Sequence, residues 1–210
     1  MKYIQKGKEP QNFSDWKATQ KSLGVNYDYK YLSNPEKAAV HISLLSEQGY
    51  ICCYCCRSVE QIDSHIEHLA PQSKTDSELS VEYTNMLAFC GRGPDWPEYC
   101  GNKKQNLAIG VSPLQANCEE FFDYSSTGEI LPTANNLAHQ KDAQTTIKVL
   151  GLNHYDLTQG RIQALEALEG ITQEEAELLA QVCQQMNAQG RYQPFCNAVL
   201  SFLKNYFGVS

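Results

Sequence analysis

The chain has 210 residues, 42% of them hydrophobic, with nine cysteines and a formal net charge of -7. That length and hydrophobic fraction suit one domain, or a small core with appendages, and the acidic balance argues against coating nucleic acid by bulk electrostatics. No apolar run approaches the ~20 residues of a membrane span, and the first residues, M-K-Y-I-Q-K-G-K-E-P, carry no signal-peptide apolar region. A soluble cytoplasmic protein is therefore expected, and in that reduced compartment clustered cysteines point to metal rather than to disulfides.

In chain order, residues 1–33 read as a tyrosine- and lysine-rich arm. Ser14 is a candidate cap for a short helix there, with Phe13 and Trp16 packing on the core. Residues 34–48 read as a helix, with Ser33 or Asn34 as the cap, Pro35 in its first turn, Glu36 at its positive end and Gly49 as its terminator. Ala38, Ile42 and Leu45 share a face at helical spacing. Val59 to Ile66 reads as a strand running into Glu67 and His68, and Pro71 closes it. Asn85 to Phe89 is a second short apolar segment leading to Cys90, and Gly91 to Pro97 is an irregular loop. A polar, basic segment from Asn102 to Asn106 has helical character. Ser125-Ser126-Thr127-Gly128 joins two short strands in a hairpin. From 135 onward the pattern is helical: 136–150 ending at Gly151, 155–169, a third helix opened by the capping box Thr172 to Glu175, and a last one through Phe195, Val199, Phe202, Leu203 and Phe207. In the third helix Leu178, Leu179, Val182 and Met186 form the apolar face. The fold class is α+β, a mainly helical chain around a small zinc-stabilised module. Its expected parts are an arm and helix over 1–49, the module over 50–107, and a hairpin with packed helices over 108–210.

The module is defined by its cysteines. Zinc takes four ligands in a tetrahedron, often as two pairs of thiolates from two turns. Cys52-x-x-Cys55 supplies one pair, with Cys53-x-x-Cys56 at the same spacing as an alternative register; Cys90 and Cys100 supply the other. Cys118, Cys183 and Cys196 read as small buried side chains. A thioredoxin-like C-x-x-C is the competing reading, but the glycine- and proline-broken surroundings do not suit it.

A second constellation overlaps the first. Glu67 is a hard oxygen ligand suited to Mg²⁺ or Mn²⁺, and Asn102 offers a second donor. His68 beside it can take a proton from water near neutral pH. A bend at the strand end would turn Glu67 and His68 toward one cleft, and Asn85 is placed to hold His68 by a hydrogen bond. Lys103 and Lys104 are candidate phosphate contacts, as is Arg92 in the loop. His65 shares the strand face of Glu67 and is a candidate third ligand or phosphate contact. This is equipment for phosphodiester hydrolysis, with nucleic acid as substrate. A zinc-stabilised binding module without catalysis is the alternative, but it gives no reason for Glu67, His68, Asn85 and Asn102.

The order E-H-L-x-P, then T-N-M-L, then C-G-N-K-K resembles the HNH endonucleases of the ββα-metal fold. The resemblance implies His68 as general base, Glu67 and Asn102 as ligands of the catalytic ion, and Asn85 as the middle asparagine. Many members also carry a four-cysteine zinc site around the motif. Glutamate stands where aspartate is commoner, and asparagine where the last ligand is more often histidine. The runs Q-G-Y-I-C-C-Y-C, H-I-E-H and S-P followed by C-E-E-F are further similar to the PtuB-type HNH subunits of Septu and retron-associated anti-phage systems. That likeness implies a PtuA-like ATPase of the ABC or SMC type as partner and, in retron systems, a reverse transcriptase with its msDNA. DNA, or an RNA such as tRNA, stays open as substrate.

Overall fold

The computed structural model describes residues 1–25, 27–72, 77–91 and 98–209. Eight α-helices and two small sheets alternate along these residues: α1 (Gln11–Ser22), α2 (Glu36–Glu47), β1 (Ser64–His68), α3 (Ser77–Ser80), β2 (Met86–Cys90), α4 (Cys100–Lys104), β3 (Phe122–Tyr124), β4 (Ile130–Pro132), α5 (Leu137–Leu150), α6 (Tyr155–Glu166), α7 (Gln173–Gln184) and α8 (Cys196–Phe207). The result is a mixed, mainly helical molecule. No helix among the described residues is long and apolar enough to cross a membrane.

Local chemistry sets most of these boundaries. α1 starts directly after Pro10 and buries Phe13; Ser14 lies inside it rather than capping it, and its hydroxyl donates to Glu9. Gly49, with φ +59°, follows α2 in the left-handed region that glycine adopts without steric cost. Asn136 caps α5 through the Ala138 N–H, and Gly151 closes it in the left-handed conformation. The Thr172–Glu175 capping box forms at the start of α7.

The buried faces differ in two helices from those read by periodicity. α2 buries Val40, Leu44 and Leu45, while Ile42 is exposed. α7 buries Ala176, Ala180 and Cys183 and leaves Leu178 and Val182 exposed, and it ends at Gln184, before the exposed Met186. The small side chains let α7 lie close against α8, so the larger residues next to them turn outward.

Two apolar clusters result. One joins α1, α2, the cysteine turn, the β1–β2 sheet and α5; the other joins Ile51 and Cys56 to α6, α7 and α8. Arg161 of α6 is fully buried, donating through its guanidinium to the carbonyls of Gly128 and Leu152. It ties the tip of the β3–β4 hairpin to the end of α5.

β1 and β2 are antiparallel, with Ser64 opposite Cys90, Ile66 opposite Ala88 and His68 opposite Met86. β2 is buried along its whole length, and α4 packs on the sheet. Sheet and helix thus form one unit, with Cys90 at one end of the β1–β2 ladder and His68 at the other.

Candidate metal centre and active site

The sulfurs of Cys52, Cys55, Cys90 and Cys100 converge, all within 4.8 Å of one another and all buried. The chain turns back at the first pair, where the Cys56 N–H donates to the Cys52 carbonyl and the Cys52 N–H to Arg57. The buried Gln48 amide clamps this turn to β2, donating to Ile51 and Ala88 carbonyls and accepting from the Ala88 N–H. Cys90 ends β2 and Cys100 opens α4, so four separate chain positions meet only because sheet and helix pack. Sulfurs bound at about 2.3 Å to one tetrahedral zinc lie about 3.8 Å apart. The separations of 3.8 Å for Cys52–Cys100 and 3.5 Å for Cys55–Cys90 match that geometry, so the cluster could bind zinc.

Cys53 and Cys56 stand outside the cluster. The Cys53 N–H donates to Ala88, and Cys56 belongs to the second apolar cluster beside Cys196. At Cys52 burial opposes the thiolate, but hydrogen bonds from Cys100 and the other surrounding thiols outweigh it and draw its pKa well below the usual thiol value. Burial pushes the Cys100 thiol well up.

Glu67 is buried, and its Oε1 accepts from the Lys104 ammonium at 2.7 Å and the Tyr54 hydroxyl at 3.1 Å. Burial nonetheless leaves its pKa above the ordinary carboxylate value, because Lys104 and Tyr54 offset the lost hydration only in part. Its Oε2 lies against the backbone of Gly101, where a Cβ would come within 2.5 Å of it and within 2.7 Å of the Phe89 ring. Gly101 lets α4 reach the carboxylate, a role that the sequence signalled only by a glycine between Cys100 and Asn102. His65 is exposed and stacks on Phe89, with ring centroids 6.1 Å apart, on the same face as Glu67.

Lys104 requires a correction. Expected as a phosphate contact, it is fully buried, and its ammonium is held by Glu67 and by the His68 carbonyl at 3.0 Å. A buried ammonium is stable only when paired, and the nearby carboxylate sets its place. Lys103 is exposed, with its aliphatic stem beside Gly151, and Asn102 is half-buried in α4. Arg92 lies outside the described residues.

β1 stays a regular strand through His68, so the bend expected there does not occur and His68 takes a different set of partners. Its ring packs edge-on against Tyr29, with centroids 4.5 Å apart. Nε2 lies 2.9 Å from the Ser80 carbonyl and Nδ1 lies 3.0 Å from the Gln72 amide nitrogen. A carbonyl can only accept, so Nε2 carries the proton and Nδ1 presents its lone pair. Burial lowers the His68 pKa to about 4, which keeps the ring neutral at physiological pH.

Asn85 also departs from expectation. Its Oδ1 accepts from the Ala70 N–H, and its Nδ2 donates to the Ala70 and Leu79 carbonyls. It braces the turn after His68 rather than the His68 ring. Ser80 holds that ring, and no sequence signal marked it.

No family model matches the chain. It is similar to a protein of Vibrio cholerae serotype O1 biovar El Tor named "Retron Vc95 putative HNH endonuclease". The two are 29% identical over 135 residues, 63% of this chain. The chain spans 66% of the length of that relative.

Proposed function

We propose that the protein is an HNH-type endonuclease that hydrolyses nucleic-acid phosphodiester bonds, with His68 as general base. The observation that carries this reading is the tautomer of His68: Ser80 holds the proton on Nε2, so Nδ1 is the proton acceptor. The Gln72 amide now donates to that lone pair, and an attacking water would take its place. The ring is neutral, as a base must be before it acts. Similarity to a relative bearing an HNH endonuclease name supports the same reading.

Two metal sites go with it. Cys52, Cys55, Cys90 and Cys100 would hold a structural zinc ion, which their sulfur spacing fits. Glu67 and Asn102 would hold Mg²⁺ or Mn²⁺, hard cations suited to oxygen donors. Such an ion supplies charge neutralisation at the scissile phosphate and the leaving oxygen. Glu67 also carries a buried counter-charge, Lys104, which keeps the carboxylate oriented by one oxygen. Asn85 braces the chain turn beyond His68 and acts on it through the backbone. The PtuB-like runs in the sequence support a further reading, as the nuclease subunit of an anti-phage complex with a PtuA-like ATPase. The retron in the relative's name supports a reverse transcriptase with its msDNA as an associated component. Co-purification of the tagged chain with these proteins tests both assignments.

A specific observation favours the alternative of a zinc-stabilised binding module. Glu67 is already neutralised by Lys104, and both His68 nitrogens already have partners, as in a purely structural core. One experiment separates the readings: cleavage of DNA and of tRNA with Mg²⁺ or Mn²⁺, with the ATPase partner present, for wild type and His68→Ala, with zinc content measured on both. Loss of cleavage in His68→Ala at unchanged zinc content is the expected result. Equal cleavage by both proteins would remove His68 as the base.

A further inference from the structure

A groove of about 660 Å³ runs between α2 and β1. Tyr29, Asn34, Lys37 and His41 line one side, and Ser64 and His65 the other. Every one of these side chains can hydrogen-bond to or stack on a nucleotide. The groove also reaches the candidate base. Tyr29 packs edge-on against His68, and its backbone N–H donates to the hydroxyl of Ser80, whose carbonyl holds the His68 ring.

Charge separates this groove from the rest of an acidic protein. Lys37 places its ammonium 4.7 Å from the Tyr29 ring centroid, and among the described residues it forms no ion pair. The carboxylate at the groove's edge, Glu60, is paired with Arg191 at 2.5 Å. His41 is tied to Ser64 by a 2.9 Å hydrogen bond that fixes the width between helix and strand. A cation without a carboxylate, two imidazoles and the half-buried Tyr29 ring form a combination suited to a single strand: charge for the phosphates and rings for the bases.

We propose that this α2–β1 groove binds a single-stranded segment of the nucleic acid next to the scissile phosphate, with Lys37 on a backbone phosphate and Tyr29 and His65 against bases. The proposal rests on the nuclease reading for its choice of ligand. It adds Tyr29, Asn34, Lys37 and His41, which precede the E-H-L-x-P motif in the sequence.

The test uses fluorescence anisotropy with labelled single-stranded DNA and RNA oligonucleotides, on the full chain carrying His68→Ala so that nothing is cut. Lys37→Gln should weaken binding about 3- to 10-fold and reduce the salt slope of log K by about 0.7, the share of one phosphate contact on a single strand. Lys37→Arg should restore most of the affinity. Lys21→Gln, on α1 outside the groove, should change neither quantity. Equal losses for Lys37→Gln and Lys21→Gln would reduce binding to bulk charge and overturn the proposal, as would absence of saturable binding to either oligonucleotide. The DNA and RNA arms report which strand is preferred. The nuclease reading is judged separately, by cleavage in wild type against His68→Ala. Unchanged affinity in Lys37→Gln together with His68-dependent cleavage would retire the groove and leave the nuclease.

Discussion

His68 and Lys104 show how single side chains here are governed by desolvation. The His68 pKa lies at about 4 in the folded protein against 6.5 for an ordinary histidine, chiefly because burial disfavours the imidazolium. Since the folded value is the lower one, the unfolded chain binds this proton first as pH falls. The contribution to stability is therefore complete above about 6.5 and is lost as pH drops toward 4, with a total of about 3 kcal/mol. Urea denaturation between pH 7 and 4 should show this loss in wild type, and His68→Gln should flatten that part of the profile. Lys104 poses the complementary case of a charge that burial makes dependent on one partner. Lys104→Met should cost about 3–5 kcal/mol by leaving Glu67 buried without a counter-charge. The double variant Lys104→Met with Glu67→Gln should recover much of that loss in the same urea titration.

Among the elements, α4 is the one whose docking builds both candidate sites. It is only five residues long, too short to be stable alone, so packing rather than propensity maintains it. Its first residue is a cluster cysteine, its second is the glycine against Glu67, and its last is the buried lysine. Gly101→Ala would drive a methyl group into the Glu67 carboxylate and the Phe89 ring. Neither can retreat, since both are buried in the sheet face. A destabilisation of about 1–3 kcal/mol is expected, with α4 lifted from the sheet. Thermal denaturation measures the first effect, and weaker metal retention under chelator measures the second. β1 supplies the other half of the arrangement. Its period-two alternation places His65 on the face of Glu67, as the sequence pattern implied, and gives the His68 ring its own partners, Ser80, Gln72 and Tyr29.

At the scale of the molecule, the four-cysteine cluster joins the turn after α2, the end of β2 and the start of α4, so a metal ion there would link three chain segments. Cys52→Ser should lower zinc content and melting temperature together, whereas Cys53→Ser should leave zinc content unchanged; metal analysis beside a melting curve checks both. The sequence by itself determined what acts over short distances. Helix starts and stops at Asn136, Gly151 and the Thr172–Glu175 box follow from backbone groups satisfied by side chains a few residues away. The hairpin at 122–132 and the C-x-x-C spacing are equally local. Only the tertiary structure decided between the two cysteine registers, which differ by a single residue and are alike in spacing. It also decided that Lys104 turns inward, that α7 packs through Ala176, Ala180 and Cys183, that Arg161 is buried, and that Ser80 and Tyr29 meet His68. The physical reason is common to all of these. Each side chain's burial and partners are set by surfaces contributed from distant parts of the chain, and neither helical nor strand period carries information about which surfaces will meet.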